Sequence, residues 1–126
     1  MLTTNETQLR VPKTLKIFVD GKFIRTESGR TFSIFHHGTQ TLYAHLSQAS
    51  RKDLRNAVDA AKKAQPSWNA KSAFNRSQIL YRAAEMLEGK RQEFCEIFET
   101  ILGYDSAKSN QAVDAAIDSF IYYSGF

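Results

Sequence analysis

The sequence is first informative for what it is short of. Its one cysteine, Cys95, excludes an intramolecular disulfide framework and a cysteine-based zinc site. Two prolines and six glycines exclude a collagen-like or low-complexity chain. No apolar run approaches the ~20 residues needed to cross a bilayer. The opening MLTTNETQLRVPK lacks the apolar stretch of a secretory signal, so a soluble cytoplasmic protein is expected. No G-x-G-x-x-G or G-x-x-x-x-G-K-[ST] loop is present to cradle a phosphate. H-x-x-x-H and C-x-x-C are also missing, and with them the usual local signatures of a metal site.

What is present suits one globular domain. The chain has 126 residues, 42% of them apolar, which is enough for a core that buries roughly two-thirds of the unfolded surface. Seventeen Lys and Arg against thirteen Asp and Glu leave a net charge of +4. The excess is spread over the chain: +3 in residues 1–49, +3 in 50–103 and −2 in 104–126. No segment is a polybasic tail, and this weighs against nucleic acid as a partner.

The hydrophobic period divides the chain. Residues 1–14 are polar and predict a flexible arm. Residues 15–47 read as strands. Asp20-Gly21 sits between Lys16–Val19 and Lys22–Arg25, both β-prone, and predicts a two-residue type I′ hairpin. Thr31–Phe35 predicts a strand in which Phe32 and Ile34 alternate out of step with Phe35, and Thr41–Leu46 predicts another. From Ser50 to residue 126 the period is helical. Ser50 with Asp53 reads as a capping box, followed by Leu54, Ala57, Val58, Ala61 and Ala64, with Pro66 as the stop. A second helix is expected to start near Ser72 or Asn75 and to break or kink at Gly89. A third carries Phe94, Ile97, Phe98, Ile101 and Leu102 and ends on Gly103. A fourth starts near Ser109 and carries Val113, Ala116, Ile117 and Phe120. The fold class is therefore α+β, mostly α: a β-hairpin or small sheet followed by about four helices.

Each chemically suggestive residue has an ordinary explanation. Cys95 is mid-helix among apolar and acidic neighbours, which disfavour a thiolate, and reads as a packed thiol. His36 and His37 are adjacent on extended chain and point to opposite faces, while His45 stands apart; they read as turn and surface residues. Arg51, Arg55 and Lys62 share one helix face without interleaved aromatics and read as a solvated face. Glu85/Glu88 and Glu96/Glu99 fall on outward faces at i, i+3. Trp68 reads as an anchor for the interhelix turn. No catalytic, cofactor-binding or metal-binding residue is assigned.

The order of segments is more specific than any motif. Ile17-Phe18-Val19-Asp20-Gly21-Lys22-Phe23 resembles the opening of aldehyde dehydrogenases, and Ser28–Phe32 continues it. Ala49–Ala61, then Ala64 and Trp68, is similar to the first long helix of that family. Asn75–Glu88 is similar to its second, and Val113–Ile117 with Tyr122–Phe126 to a later stretch. The resemblance covers residues 15–126 and implies the fold of an N-terminal aldehyde dehydrogenase segment. His36–Gln40 departs from the family's usual turn, which implies a reshaped loop. The resemblance further implies a parent reaction, the NAD(P)-dependent oxidation of an aldehyde to a carboxylate. The family's nucleophile, general base and dinucleotide loop fall beyond the matched stretch, and Cys95 does not align with that nucleophile. The chain is thus expected to be a truncated or split part that binds no cofactor by itself and is inactive alone. The alternative is a stand-alone helical module. Expected partners are a second copy, with the fourth helix favoured as the contact, or the missing remainder of an aldehyde dehydrogenase.

Overall fold

The computed structural model describes residues 12–125. Five short strands come first: β1 (Thr14–Leu15), β2 (Ile17–Val19), β3 (Lys22–Ile24), β4 (Thr31–Phe35) and β5 (Leu42–Ser47). Four helices follow: α1 (Arg51–Asn69), α2 (Ala73–Gly89), α3 (Arg91–Leu102) and α4 (Ser106–Ser124). The architecture is α+β and mostly α, as expected. Residues 1–11 of the expected arm lie outside the described residues, while Thr14, its last position, belongs to β1.

β2 and β3 form the hairpin, with Ile17 opposite Ile24 and Val19 opposite Lys22. Asp20 (φ 54°) and Gly21 (φ 72°) both take the positive φ that a type I′ turn requires. The other strands make a separate sheet in the order β1-β5-β4, with β4 antiparallel and β1 parallel to β5. β1 is too short to show a period, and its partner lies far along the chain. The phase break at Phe35 is a bulge: the register steps from Ile34↔Ala44 to Phe35↔Leu42 and leaves Tyr43 as the extra residue.

α1 starts on the expected capping box. Ser50 Oγ accepts the Asp53 N–H, and Asp53 Oδ2 accepts the Ser50 N–H at 2.8 Å and its hydroxyl at 3.0 Å. It does not stop at Pro66, which lies inside the helix. Proline withdraws one N–H from the ladder, but its fixed φ is helical and its carbonyl still accepts the Ala70 N–H at 3.0 Å. The helix therefore continues to Asn69. α2 is capped by Ser72 through the Asn75 N–H, and α3 ends on Gly103 in the left-handed conformation. α4 starts before Ser109 because Asp105 is its cap, accepting the Lys108 N–H at 2.7 Å. Ser109 is then an interior residue of the helix.

α4 packs against both α2 and α3. The buried residues of this bundle are small: Ala84 on α2, Cys95 on α3, Ser109 and Val113 on α4. With Ala44 in the sheet, these are the only buried apolar residues among the described ones, Ser109 excepted as a polar member. The Ser109 hydroxyl is wholly buried and has no hydrogen-bond partner. Arg91 binds the bundle beside this core: Nε and Nη2 take the Glu88 carboxylate at 2.9 and 2.7 Å, Nη1 reaches the Asn110 carbonyl and side chain, and Nη2 also meets Asp114. Glu88 is held below its ordinary range by this guanidinium.

The remaining elements are attached at points. Asp53 Oδ1 accepts the Glu27 N–H at 3.0 Å and so ties the turn after β3 to the start of α1. Lys52 adds an ion pair to Glu27. The loop between β4 and β5 reaches α3, where the His37 N–H donates to the Thr100 carbonyl at 2.8 Å. The His37 ring lies over Gly103, in the space that a Cβ would occupy. α1 and the β2–β3 hairpin make few contacts with other elements.

The backbone N–H groups of Ser50 and Glu27 hold the Asp53 carboxyl below its ordinary range. Its lowered folded pKa means that its stabilisation is complete above the unfolded pKa, about 4, and is lost as the pH falls through the folded value. Acid melting followed by circular dichroism should show this loss, and Asp53→Asn should blunt it. Ser109→Ala removes an unpaired buried hydroxyl and should raise stability by about 1 kcal/mol in urea unfolding. Gly103→Ala strains a left-handed cap and collides with His37, so it should cost about 2–4 kcal/mol. Gly21→Ala, at similar φ in open space, should cost about 1 kcal/mol.

Candidate functional site

The residues with chemical potential do not converge. Cys95 is buried on α3. The histidines are separated by their contacts: His36 meets the Tyr43 ring edge-on at 5.3 Å, His37 lies on Gly103, and His45 Nδ1 is 3.1 Å from Ser33 Oγ. Among the described residues no three His, Cys, Asp or Glu side chains gather as metal ligands would. Glu88 lies on an exposed face, as expected, and also pairs with Arg91, while Glu96 accepts from Gln92 at 3.1 Å. Sequence reasoning missed the Arg91 network because Asn110 and Asp114 reach Arg91 only after α4 folds back beside α3.

The helix starts among the described residues are capped largely from within the chain. A pyrophosphate needs free N–H groups at a helix N-terminus. Here the chain's own Asp53 and Asp105 carboxylates occupy the starts of α1 and α4, and Ser72 occupies that of α2. α3 follows directly on α2 and carries Glu93 in its first turn. Its preceding glycine, Gly89, ends a helix instead of a parallel strand.

What the fold does present is uncovered apolar surface. The chain exposes 10516 Å², against roughly 6,800 Å² for a compact monomer of its mass. On α4, Val113 is buried and Ile117 half-buried by α2 and α3, while Phe120 and Ile121 near its end are exposed. On α3, Phe98 and Ile101 are half-buried and Phe94, Ile97 and Leu102 are exposed. The longest stripe is on α1. Leu54, Val58, Ala61, Gln65 and Trp68 recur at alternating steps of four and three, the spacing of a helix–helix seam. Leu54 is 64% and Val58 43% exposed. An open groove along this face is lined by Val58, Ala61, Lys62, Ala64, Gln65 and Trp68. Trp68 thus lies half-buried along the groove, and its carbonyl accepts the Lys71 N–H at the turn. Arg51, Arg55 and Lys62 edge the same stripe.

Residues 23–126 match the aldehyde dehydrogenase family. The D-glyceraldehyde dehydrogenase (NADP(+)) of Thermoplasma acidophilum is 32% identical over 109 residues, which are 86% of this chain and 22% of that protein. An NAD-dependent benzaldehyde dehydrogenase from Corynebacterium glutamicum superposes with a TM-score of 0.82 at 33% identity, over 89% of this chain and 24% of its own. An NAD-dependent aldehyde dehydrogenase from Sinorhizobium meliloti does so with a TM-score of 0.81 at 26% identity, over 98% and 25%. The chain spans no more than a quarter of the length of these relatives. Five sequence segments in register, the strand–helix order and these matches agree: the chain belongs to the aldehyde dehydrogenase family, of which it is an N-terminal segment.

Proposed function

We propose that this chain is a structural part of an aldehyde dehydrogenase, inactive by itself, and works only with the remaining three-quarters of the family fold. The observation that carries this reading is the surface excess: a chain that exposes about half as much area again as a compact monomer has faces built to be covered. The relatives' names, which pair aldehydes with NAD or NADP, support NAD(P)-dependent oxidation of an aldehyde to a carboxylate as the reaction of the completed protein. In that reaction this segment's residues hold structure. Among the described residues the cysteine is buried, the histidines are dispersed and the starts of α1 and α4 are capped from within the chain, which supports a structural role. The absence of a disulfide framework supports a cytoplasmic location. Among the described residues no helix is long and apolar enough to cross a membrane.

A self-associating module is the second reading, favoured by the exposed Phe120 and Ile121 near the end of α4. One experiment separates the two. The purified chain is assayed for NADH and NADPH formation with a panel of aldehydes. It is assayed alone and mixed with the C. glutamicum benzaldehyde dehydrogenase from which the matching segment has been removed. The expected result is no turnover alone, and a complex with benzaldehyde oxidation in the mixture. Turnover by the chain alone that Cys95→Ala abolishes would refute the structural reading. A stable homodimer that ignores the truncated enzyme would establish the module instead.

A further inference from the structure

We propose that the Asp20-Gly21 turn is a site of spontaneous backbone modification, at which Asp20 isomerises to isoaspartate through a succinimide. The reaction needs a carboxyl group that is not held elsewhere, a following residue without a Cβ, and a backbone nitrogen that is not locked in a hydrogen bond. Asp20 and Gly21 meet all three conditions. Both are exposed at the tip of the β2–β3 hairpin, outside the paired Val19 and Lys22. No atom lies within 4 Å of the place where a Cβ of Gly21 would stand. Among the described residues the Gly21 N–H donates to no group, and the Asp20 carboxylate accepts from none.

The other five aspartates are held. Asp53 takes the N–H groups of Ser50 and Glu27, Asp105 takes that of Lys108, and Asp114 pairs with Arg91. Asp59 and Asp118 lie inside α1 and α4, where the N–H of the next residue belongs to the helix ladder. Asp105 and Asp118 each precede a serine, a small residue, so the chain carries its own controls.

Ring closure requires Asp20 to rotate out of its left-handed turn conformation. The hairpin permits this rotation. It consists of three residue pairs and makes few contacts with other elements, and a two-stranded hairpin alone is marginally stable in water. Such elements open locally while the rest of the fold stays intact. In the opened turn the Gly21 nitrogen attacks Asp20 Cγ. The N–Cγ bond forms and a Cγ–O bond breaks. The oxygen leaves as water with the Gly21 N–H proton and one proton from solvent. Water then adds back to one of the two ring carbonyls. Opening at Cγ restores Asp20, whereas opening at the α-carbonyl leaves the main chain running through Cγ, one methylene longer. The net change is an isomerisation that consumes no other reactant. The longer turn no longer fits type I′ geometry, and the Val19↔Lys22 register and the Phe18–Phe23 ring contact at 5.0 Å are lost with it.

The test uses the intact chain, aged in warm neutral buffer and then mapped by peptide mass spectrometry with fragmentation that detects the inserted methylene. Isoaspartate should accumulate at position 20 at least about tenfold faster than at positions 105 and 118, whose helix opens less often. Gly21→Ala should slow it at least about tenfold, because a Cβ shields the nitrogen, even though the same change weakens the turn. Asp20→Asn closes the same ring with loss of ammonia and should speed it. Accumulation at position 20 no faster than at the two held sites, or a rate that Gly21→Ala leaves unchanged, overturns the inference. Modification that appears only as the helices melt by circular dichroism overturns it too. The chemistry is internal to the hairpin, so none of these outcomes depends on the complementation result above.

Discussion

The structure depends on the close approach of α2 and α4. Ala84, Ser109 and Val113 are buried in the helical bundle, and all three are small. Small side chains bring helix axes together, and close axes convert modest residues into a packed seam. Ser109 is fully buried in that seam. α3 joins through Cys95, and Arg91 stitches the end of α2 and the start of α3 to α4 with hydrogen bonds to Glu88, Asn110 and Asp114. Among the described residues this bundle is the one multi-helix core.

The other described elements are attached by a few contacts, among them Arg76 Nη1 of α2, which donates to the Asn69 carbonyl at the end of α1 at 3.1 Å. The sheet meets the bundle where His37 donates to Thr100 and covers Gly103. α1 is joined to the strands by the Asp53 carboxylate, which serves the cap of its own helix and the Glu27 N–H at once. Contacts of this kind fix direction well and contribute little stabilisation each, since a net hydrogen bond is worth about 1 kcal/mol. Elements held in this way keep their apolar faces outward. The exposed rows on α1, on α3 and at the end of α4 are the physical counterpart of a chain that spans a quarter of its relatives' length.

The same geometry separates family from chemistry. Likeness to aldehyde dehydrogenases rests on strands, caps and helix faces, which are scaffold features. Several polar side chains of the described residues make contacts within the fold. Asp53 and Asp105 cap helices, Glu88 and Asp114 hold Arg91, and His37 fills the space beside a glycine.

The sequence by itself determined the local elements and the family. Asp20-Gly21, the Ser50–Asp53 box and Gly103 act within a few residues of themselves, so their turn, cap and stop could be read directly. An apolar stripe on α1 was also visible as spacing, through Leu54, Ala57, Val58, Ala61 and Ala64, whereas the exposed face runs through Leu54, Val58, Gln65 and Trp68. Where the local signal was mixed, the reading failed: Pro66 looked like a stop although its φ suits a helix, and Asp105 was passed over as the cap that sets the start of α4. Tertiary structure alone decided the rest. β1 exists because β5 lies beside it, and the Arg91 network exists because α4 returns along α3. Which apolar stripes are covered was likewise undecided until the helices packed. The stripe of α4 looked at least as exposed as that of α1, yet α2 and α3 cover much of the former and little covers the latter. Periodicity states that a face is apolar, while the identity of its neighbour depends on contacts between residues far apart in the chain, and those carry no local signature.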